Sequence, residues 1–435
     1  MVLDEPATRA PALRRRDMLA VMIGGTVEFY DFVVFSFFAV QIGHAYFPAG
    51  SAFASLMLTL GTFALGFAAR PLGGLVLGAY ADRAGRRNAM TLTLVLMAMA
   101  IVAIAVIPPY SRIGMAAPIL AVAARLVQGF ALGGDVAPAV ALLIEGGSAE
   151  RRGACVGLFS TYSNLGPLLG SAVGLVLSLM LSEATLDAAG WRIAFLLGAL
   201  TLPIGIWLRR NLPETLVPDR EPATQPGTIA LMRQHKGPLA LGLLMIATGS
   251  TSFYILQYAT TFAQSVLHLP PSVAFGSTLV VNLVGAPVAV LTGWLSDFTG
   301  RRPPYVWSRL AMALAAVPVF AWIAADRTSG ALLAGVAILS ILQQIGTGTA
   351  WVWFAEMLPM QVRGRGFGTV FGLSLALFGG TAQMVVTWLI HVTGSELAPG
   401  WYMAVMCALG AAGALFMPET APAQVARRGL ATAAA

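Results

Sequence analysis

Charge is scarce in this chain: only 10% of its 435 residues are Asp, Glu, Lys or Arg, whereas an ordinary soluble domain carries about 25%. With 57% of residues hydrophobic, there is too little polar surface to face water on every side, which excludes a soluble globular domain. Cysteine is nearly absent. Cys155 and Cys407 lie in separate apolar runs, leaving neither a disulfide framework nor a metal-ligand spacing, so both read as packing residues. HExxH, GxSxG and CxxC motifs are missing, and with them the common nucleophile and metal arrangements of enzymes. A Walker-type loop is missing too, so ATP is not a direct energy source. No enzymatic activity, cofactor or metal is expected.

The net charge of +7 raises the question of nucleic acid as a partner. The basic residues fall in short loops and not on one face, which argues against it. Arg9 and Arg14 to Arg16 precede an apolar run in the manner of a signal peptide, but no small-residue cleavage site leads to a soluble domain. That run reads as a retained membrane span.

A helix needs about twenty apolar residues to cross a hydrocarbon core about 30 Å thick. About twelve such stretches are present, near 19–43, 54–80, 88–107, 117–143, 153–181, 191–209, 238–265, 272–297, 304–325, 330–356, 365–391 and 400–417. The expected fold is an all-α integral membrane bundle. Alternate loops then hold 21 basic residues on one side and 3 on the other (Arg112, Arg192 and Arg327), with Arg70 and Arg125 inside helices. Positive-inside bias places both termini in the cytoplasm, and for a bacterial-type chain the membrane is the inner one. The expected division is a six-helix half over 1–210, a proline-bearing cytoplasmic linker over 211–237, a second half over 238–420 and a short tail over 421–435.

The halves repeat. GAYADRAGRR at 78–87 matches GWLSDFTGRR at 293–302, aligning Asp82 with Asp297 and Gly85 with Gly300. Glu145 precedes Arg152-Gly153 as Glu356 precedes Arg363-Gly364, and LPET at 212–215 returns as MPET at 417–420. Such ordered echoes mark an internal duplication of the bundle.

These loops resemble those of the major facilitator superfamily, in which G-x-x-x-D-x-x-G-R-R joins the second and third helices of each half. The resemblance implies twelve helices in two pseudo-symmetric six-helix halves, acting as one chain. It also implies a conformational latch at Gly78, Asp82, Gly85, Arg86, Arg87, Asp297, Arg301 and Arg302. Within the superfamily the chain resembles the metabolite:proton symporters, through GGTVEFYDFVVFSFFA at 24–39, AARPLGGLVLGAYADRAGRR at 68–87, ARLVQGFALGGD at 124–135 and WRIAFLLGALTLPIGIWLRRNLPET at 191–215. TSFYILQYATTFAQSVL at 251–267, AEMLPMQVRGRGFGTVFGLSLALFGG at 355–380 and GSELAPGWYM at 394–403 look most like the citrate and tricarballylate carriers.

Five ionisable side chains fall at bilayer depth, where each is costly and marks a pathway: Glu28 and Asp31 in the first span, Arg70 in the second, and Arg125 and Asp135 in the fourth. Glu28 and Asp31 are three apart and share roughly one helix face. Arg125, Gln128 and Asp135 follow helical steps and form a polar stripe. By the resemblance, Asp31 and Arg125 are the proton-coupled pair, with Glu28 and Asp135 as further proton-handling candidates. Asp135 departs from the family pattern, which has glutamate there. Arg125, Arg70, Gln128, Tyr30, Asn164, Tyr254 and Tyr258 are the substrate-binding candidates. Thr251, Asn282, Gln343 and Gln344 are softer ones.

The expected function is proton-coupled symport of a small di- or tricarboxylate such as citrate or tricarballylate. Alternatives are an osmolyte or zwitterion such as betaine or proline, shikimate, a drug:proton antiport, and a transport-dead sensor. Partners are the small substrate, protons and the lipid bilayer.

Overall fold

The computed structural model describes residues 15–84, 86–133, 152–200, 235–358, 360–421 and 423–425. All regular structure among these residues is helical, as the bilayer demands: a lipid-exposed backbone must satisfy its polar groups internally. In the first half run α1 (Arg15–Phe37) and α2 (Ala39–Tyr46), α3 (Ala52–Ala68) and α4 (Arg70–Ala84), α5 (Arg86–Val106), the single turn α6 (Tyr110–Ile113), α7 (Ala116–Leu132) and α8 (Arg152–Met180). A short α9 (Glu183–Thr185) and a π turn over 186–190 lead into α10 (Trp191–Ala199).

The second half runs through α11 (Lys236–Gln257) and α12 (Ala259–Ser265), α13 (Pro271–Thr299), α14 (Arg302–Asp326) and α15 (Ser329–Met357). It ends in α16 (Met360–Ser374), a π turn over 375–379, α17 (Gly380–Thr393) and α18 (Ala398–Ala414). Among the described residues, seven runs are each long and apolar enough to cross a bilayer, or eight when α1 and α2, bent by 64° at Phe38, count as one. With the shorter α5, α7, α10 and α18 they give twelve helical segments in the order of the twelve expected runs. The outer surface is apolar, with Leu314 78% and Trp307 71% exposed, and lipid is the solvent such a surface fits.

Glycine sets the packing that matters most. A Cβ on Gly129 would sit 1.8 Å from the Gly66 carbonyl oxygen, one on Gly73 1.8 Å from that of Phe130, and one on Gly133 2.0 Å from that of Arg70. Only hydrogen fits at these points, so α7 lies directly on α3 and α4, the small-residue packing typical of membrane helices. The crossing carries Arg70 and Arg125 to one another. Gly78 differs: among the described residues nothing lies within 4 Å of where its Cβ would be.

At the end of the bundle where α11 begins, the three echoes of the second half converge. Arg301 is fully buried and pairs with Asp297 at 2.8 Å and Glu356 at 3.0 Å. Glu419, from the third echo, accepts the backbone N–H groups of Arg301 at 2.8 Å and Arg302 at 3.0 Å. A carboxylate at a helix N-terminus satisfies donors that have no partner within the helix. The Arg302 guanidinium donates to the Leu415 carbonyl. Asp297 also accepts the backbone N–H of Gly153 at 2.9 Å, which ties α13 to α8 and so joins the halves. Gly85 and Asp135 lie outside the described residues, as do the side chains of Asp82, Arg86 and Arg87.

Removing one partner of a buried ionic cluster strands the others, at about 3–5 kcal/mol. Arg301→Ala should therefore lower the thermal stability of the detergent-solubilised protein by that order. An unchanged melting temperature would return the cluster to a decorative role.

One sequence expectation is corrected here. Arg309, counted above among the loop arginines, is seven residues inside α14 and fully buried. It lies roughly 10 Å along the axis from the helix start at 1.5 Å per residue.

Candidate functional site

Between the halves lies a cavity lined among others by Phe29 of α1, Asn164 of α8, Ser250 and Tyr254 of α11, and Gln344 and Thr347 of α15. Both halves contribute to the wall. Asn164 Oδ1 accepts from Gln344 Nε2 at 2.8 Å, a direct bond from one half to the other. The π turn over 375–379 follows α16 at the same wall, where Phe371 and Leu375 also line the space; such turns are frequent at functional sites.

Towards the end remote from α11's start, the halves close on each other. Gln41 donates to Gln264 at 2.8 Å. Phe53 stacks on His391 at 3.7 Å, and Phe38 meets Phe275 at 4.8 Å. The bend between α1 and α2 is what places Phe38 there.

Beside the cavity sits a pair of buried cations. The Arg70 guanidinium lies 4.2 Å from the Phe32 ring centre and 4.3 Å from that of Phe67. Arg125 lies 4.4 Å from the same Phe32 ring and 4.5 Å from Phe35. Desolvated contacts of this kind contribute about 2 kcal/mol each, comparable to the 2.5–3.5 kcal/mol that insertion scales assign to one arginine at bilayer depth. The rings thus make both cations tolerable. They satisfy only the faces of the guanidinium, however, and leave its in-plane N–H donors to find acceptors. Arg125 donates to Gln128 at 2.5 Å and to the Phe32 carbonyl at 3.4 Å, while its Nε and Nη2, and the Nε of Arg70, are buried without an acceptor among the described residues. Each orphaned donor costs about 1–3 kcal/mol, and a carboxylate presents the matching acceptor pair.

Tyr254 joins this pair to the cavity: its ring lies edge-on to Phe67 at 5.2 Å and to Phe63 at 6.2 Å and also lines the cavity.

The helix-1 acids do not behave as one face. Asp31 is fully buried, and neither of its oxygens has a hydrogen-bond partner among the described residues. It points at α10, where a Cβ on Gly198 would lie 2.2 Å from its Oδ1. The expected Asp31–Arg125 contact is therefore not made in this conformation. Glu28 is the acid whose charge reaches Arg70. Three residues of helix leave side chains about 60° apart, enough to aim Glu28 and Asp31 at different neighbours.

Of the other candidates, Gln128 braces Arg125 and donates to the Asp31 carbonyl at 3.2 Å, while Asn164 and Tyr254 line the cavity. Tyr30 instead donates to the Ala194 carbonyl at 2.8 Å, facing α10. Tyr258 is buried against Thr387, which donates to it at 3.0 Å, and Asn282 pairs with Gln257 at 2.9 Å. Gln344 and Thr347 belong to the wall more plainly than either of these.

Comparison with known proteins agrees with this geometry. The family model described as Major Facilitator Superfamily matches residues 18–382. The chain is 34% identical to a citrate-proton symporter of Klebsiella pneumoniae over 418 residues, 94% of each protein. It is 32% identical to an alpha-ketoglutarate permease of Escherichia coli over 88% of this chain and 89% of that one. A putative proline/betaine transporter of Staphylococcus aureus is 29% identical, covering 91% and 86%. Among solved structures, a D-xylose-proton symporter superposes with a TM-score of 0.75 at 20% identity, covering 93% of this chain and 98% of that one. A partially occluded inward open conformation of the E. coli xylose transporter gives 0.74 at 18% identity, covering 93% and 97%.

Proposed function

This chain belongs to the major facilitator superfamily, a class of transporters and not of enzymes, and from that premise we propose that it moves a small di- or tricarboxylate together with protons. The observation that carries the reading is the Arg70–Arg125 pair: two cations, braced by rings, with buried N–H donors lacking acceptors beside a cavity between the halves. Carboxylate oxygens are the acceptors that satisfy such donors best. In this account Arg125 and Arg70 grip the anion. Tyr254 separates them from the cavity and swings aside on loading, and Asn164 and Gln344 hold the cargo's remaining polar groups.

Asp31 is assigned the proton. A carboxyl group without a partner at this depth is tolerated as the neutral acid and not as the anion. Its charge returns only when a rearrangement gives it a cation or water. Arg125 is the cation assigned to it, because Gln128 accepts from Arg125 and donates to the Asp31 carbonyl. Proton release and cargo release are thereby linked through one arginine. Glu28 serves as the acid that steadies Arg70. The Asp297–Arg301–Glu356 cluster acts as a latch on a cytoplasmic face that carries both termini, in an inner membrane, with one chain as the working unit.

The similarity to a putative proline/betaine transporter makes a zwitterion the rival cargo. Two buried arginines that still hold unsatisfied N–H donors favour an anion over it.

The test is uptake into proteoliposomes with the outside acidic, using labelled citrate, 2-oxoglutarate, betaine and proline. One pH unit drives up to about tenfold accumulation per coupled proton. Carboxylate uptake should rise with the gradient and collapse when a protonophore dissipates it. Uptake of betaine or proline alone, or carboxylate uptake indifferent to the gradient, would overturn the proposal.

A further inference from the structure

A third arginine lies at bilayer depth on the opposite side of the cavity. Arg309 of α14 is fully buried and packed between α15 and α18. It donates to the Gln343 side-chain oxygen at 2.7 Å and to the Gln343 carbonyl at 3.2 Å, with Thr347 Oγ1 at 3.5 Å and Cys407 Sγ at 3.8 Å. Its Nε has no acceptor among the described residues. No carboxylate pairs with it among the described residues. The niche is built for it: a Cβ on Gly346 would stand 2.3 Å from its Nη2 and 2.7 Å from its Nε, so a glycine on α15 is what admits the guanidinium.

The neighbours of this cation lead to the cavity. Gln343 Nε2 donates to the Gly249 carbonyl at 2.8 Å and to Thr347 Oγ1 at 3.1 Å, and both Gly249 and Thr347 line the wall. Arg309 thus stands one side chain behind the surface that a cargo touches. A uncompensated charge in low dielectric acts over such distances at appreciable strength. It also fixes the orientation of the Gln343 amide, since a guanidinium accepts nothing and must face the oxygen.

We propose that Arg309 is a positioning residue for anion recognition from the second half. Through Gln343 and Thr347 it makes that side of the cavity electropositive, so that a cargo bearing two or more carboxylates is held by Arg70 and Arg125 at one end and drawn by the Arg309 field at the other. This explains why a buried, unneutralised cation persists on a helix that does not itself line the cavity. A purely structural role would be filled as well by a neutral side chain without the desolvation cost. The inference rests on the carboxylate reading above and specifies it, since it selects polyvalent anions over monovalent ones.

The decisive variant is Gln343→Glu, which is nearly isosteric and places a carboxylate where Arg309 already points. The new ion pair should cancel the field and offset the loss of the Gln343 donation to the Gly249 carbonyl, so that the fold is preserved. Citrate and 2-oxoglutarate binding to the full-length detergent-purified protein should weaken about tenfold or more, with the melting temperature little changed. In proteoliposome uptake the KM should rise with kcat largely kept. Arg309→Gln should weaken binding similarly, and Arg309→Lys should recover most of the affinity. Binding by Gln343→Glu within about twofold of wild type overturns the proposal, as does equal loss in Arg309→Lys and Arg309→Gln. If Arg309→Gln does not fold, Gln343→Glu and Arg309→Lys decide the matter. Wild-type binding of carboxylates that depends on Arg125 but not on Arg309 would sink this inference alone. Absence of carboxylate binding by wild type would sink the functional reading with it.

Discussion

Arg125→Gln should lower carboxylate uptake by at least about a hundredfold, because two charge-assisted hydrogen bonds at about 1.5–3 kcal/mol each are lost with the guanidinium. The neutral amide keeps some of the volume and one donor group, and Gln128 remains to receive it, so the protein should still fold. The loss should appear in binding as well as in transport, measured by titrating citrate or 2-oxoglutarate into purified protein. Arg70, which shares the Phe32 ring with Arg125, would then hold the anion alone and poorly. Near-normal uptake by Arg125→Gln, with the variant folded and incorporated, would demote Arg125 to a cation that orders helices.

The second large effect concerns a methyl group. Gly129→Ala would put a carbon 1.8 Å from the Gly66 carbonyl oxygen, and a backbone oxygen in the middle of a helix has no rotamer to escape into. The crossing must open by more than an ångström. Overpacking of this kind costs about 1–3 kcal/mol where side chains yield and more where they do not. Here the separation also pulls Arg125 away from Phe32 and from the α4 segment that carries Arg70. We expect loss of transport together with a lowered melting temperature or a poor yield of monodisperse protein. Gly78→Ala is the matched control: no atom of the described residues lies within 4 Å of its Cβ position, and stability should be unchanged. Normal transport by Gly129→Ala would mean that the close crossing is not what organises the arginines.

Much of the architecture was legible before any coordinates. Apolar runs of bilayer length fixed the class, and the spacing of Asp297, Glu356 and Glu419 relative to their first-half counterparts announced a duplication. The structure supplies the reason those three acids recur together: they meet around Arg301 and the start of α14. Arg70 and Arg125 were legible as charges in the wrong solvent, and Asn164 and Tyr254 as polar groups on helices that line the cavity.

What sequence could not supply was direction. Whether Asp31 faces α7 or α10 depends on a rotation of about 60°, and that rotation is set by which glycines permit which crossings. Arg309 was hidden by its nearness to the Arg301-Arg302 pair, which made it look like one more basic loop residue. The signal that could have found it was its position two turns into an apolar helix, followed by the Gln343-Gln344 pair and Gly346 on the neighbouring span. Tyr30 and Tyr258, candidates for the substrate on sequence grounds, are not among the residues that line the cavity: a phenol at depth finds the closest acceptor, here the Ala194 carbonyl for Tyr30.

The coupling claim comes down to one carboxyl group. Adding citrate or 2-oxoglutarate to lightly buffered, detergent-purified protein near neutral pH, with a pH indicator present, counts the protons taken up per anion bound. The account predicts measurable uptake by the wild type and its loss in Asp31→Asn, with anion binding itself retained. Anion binding by the wild type without any proton uptake, or undiminished uptake in Asp31→Asn, would contradict it.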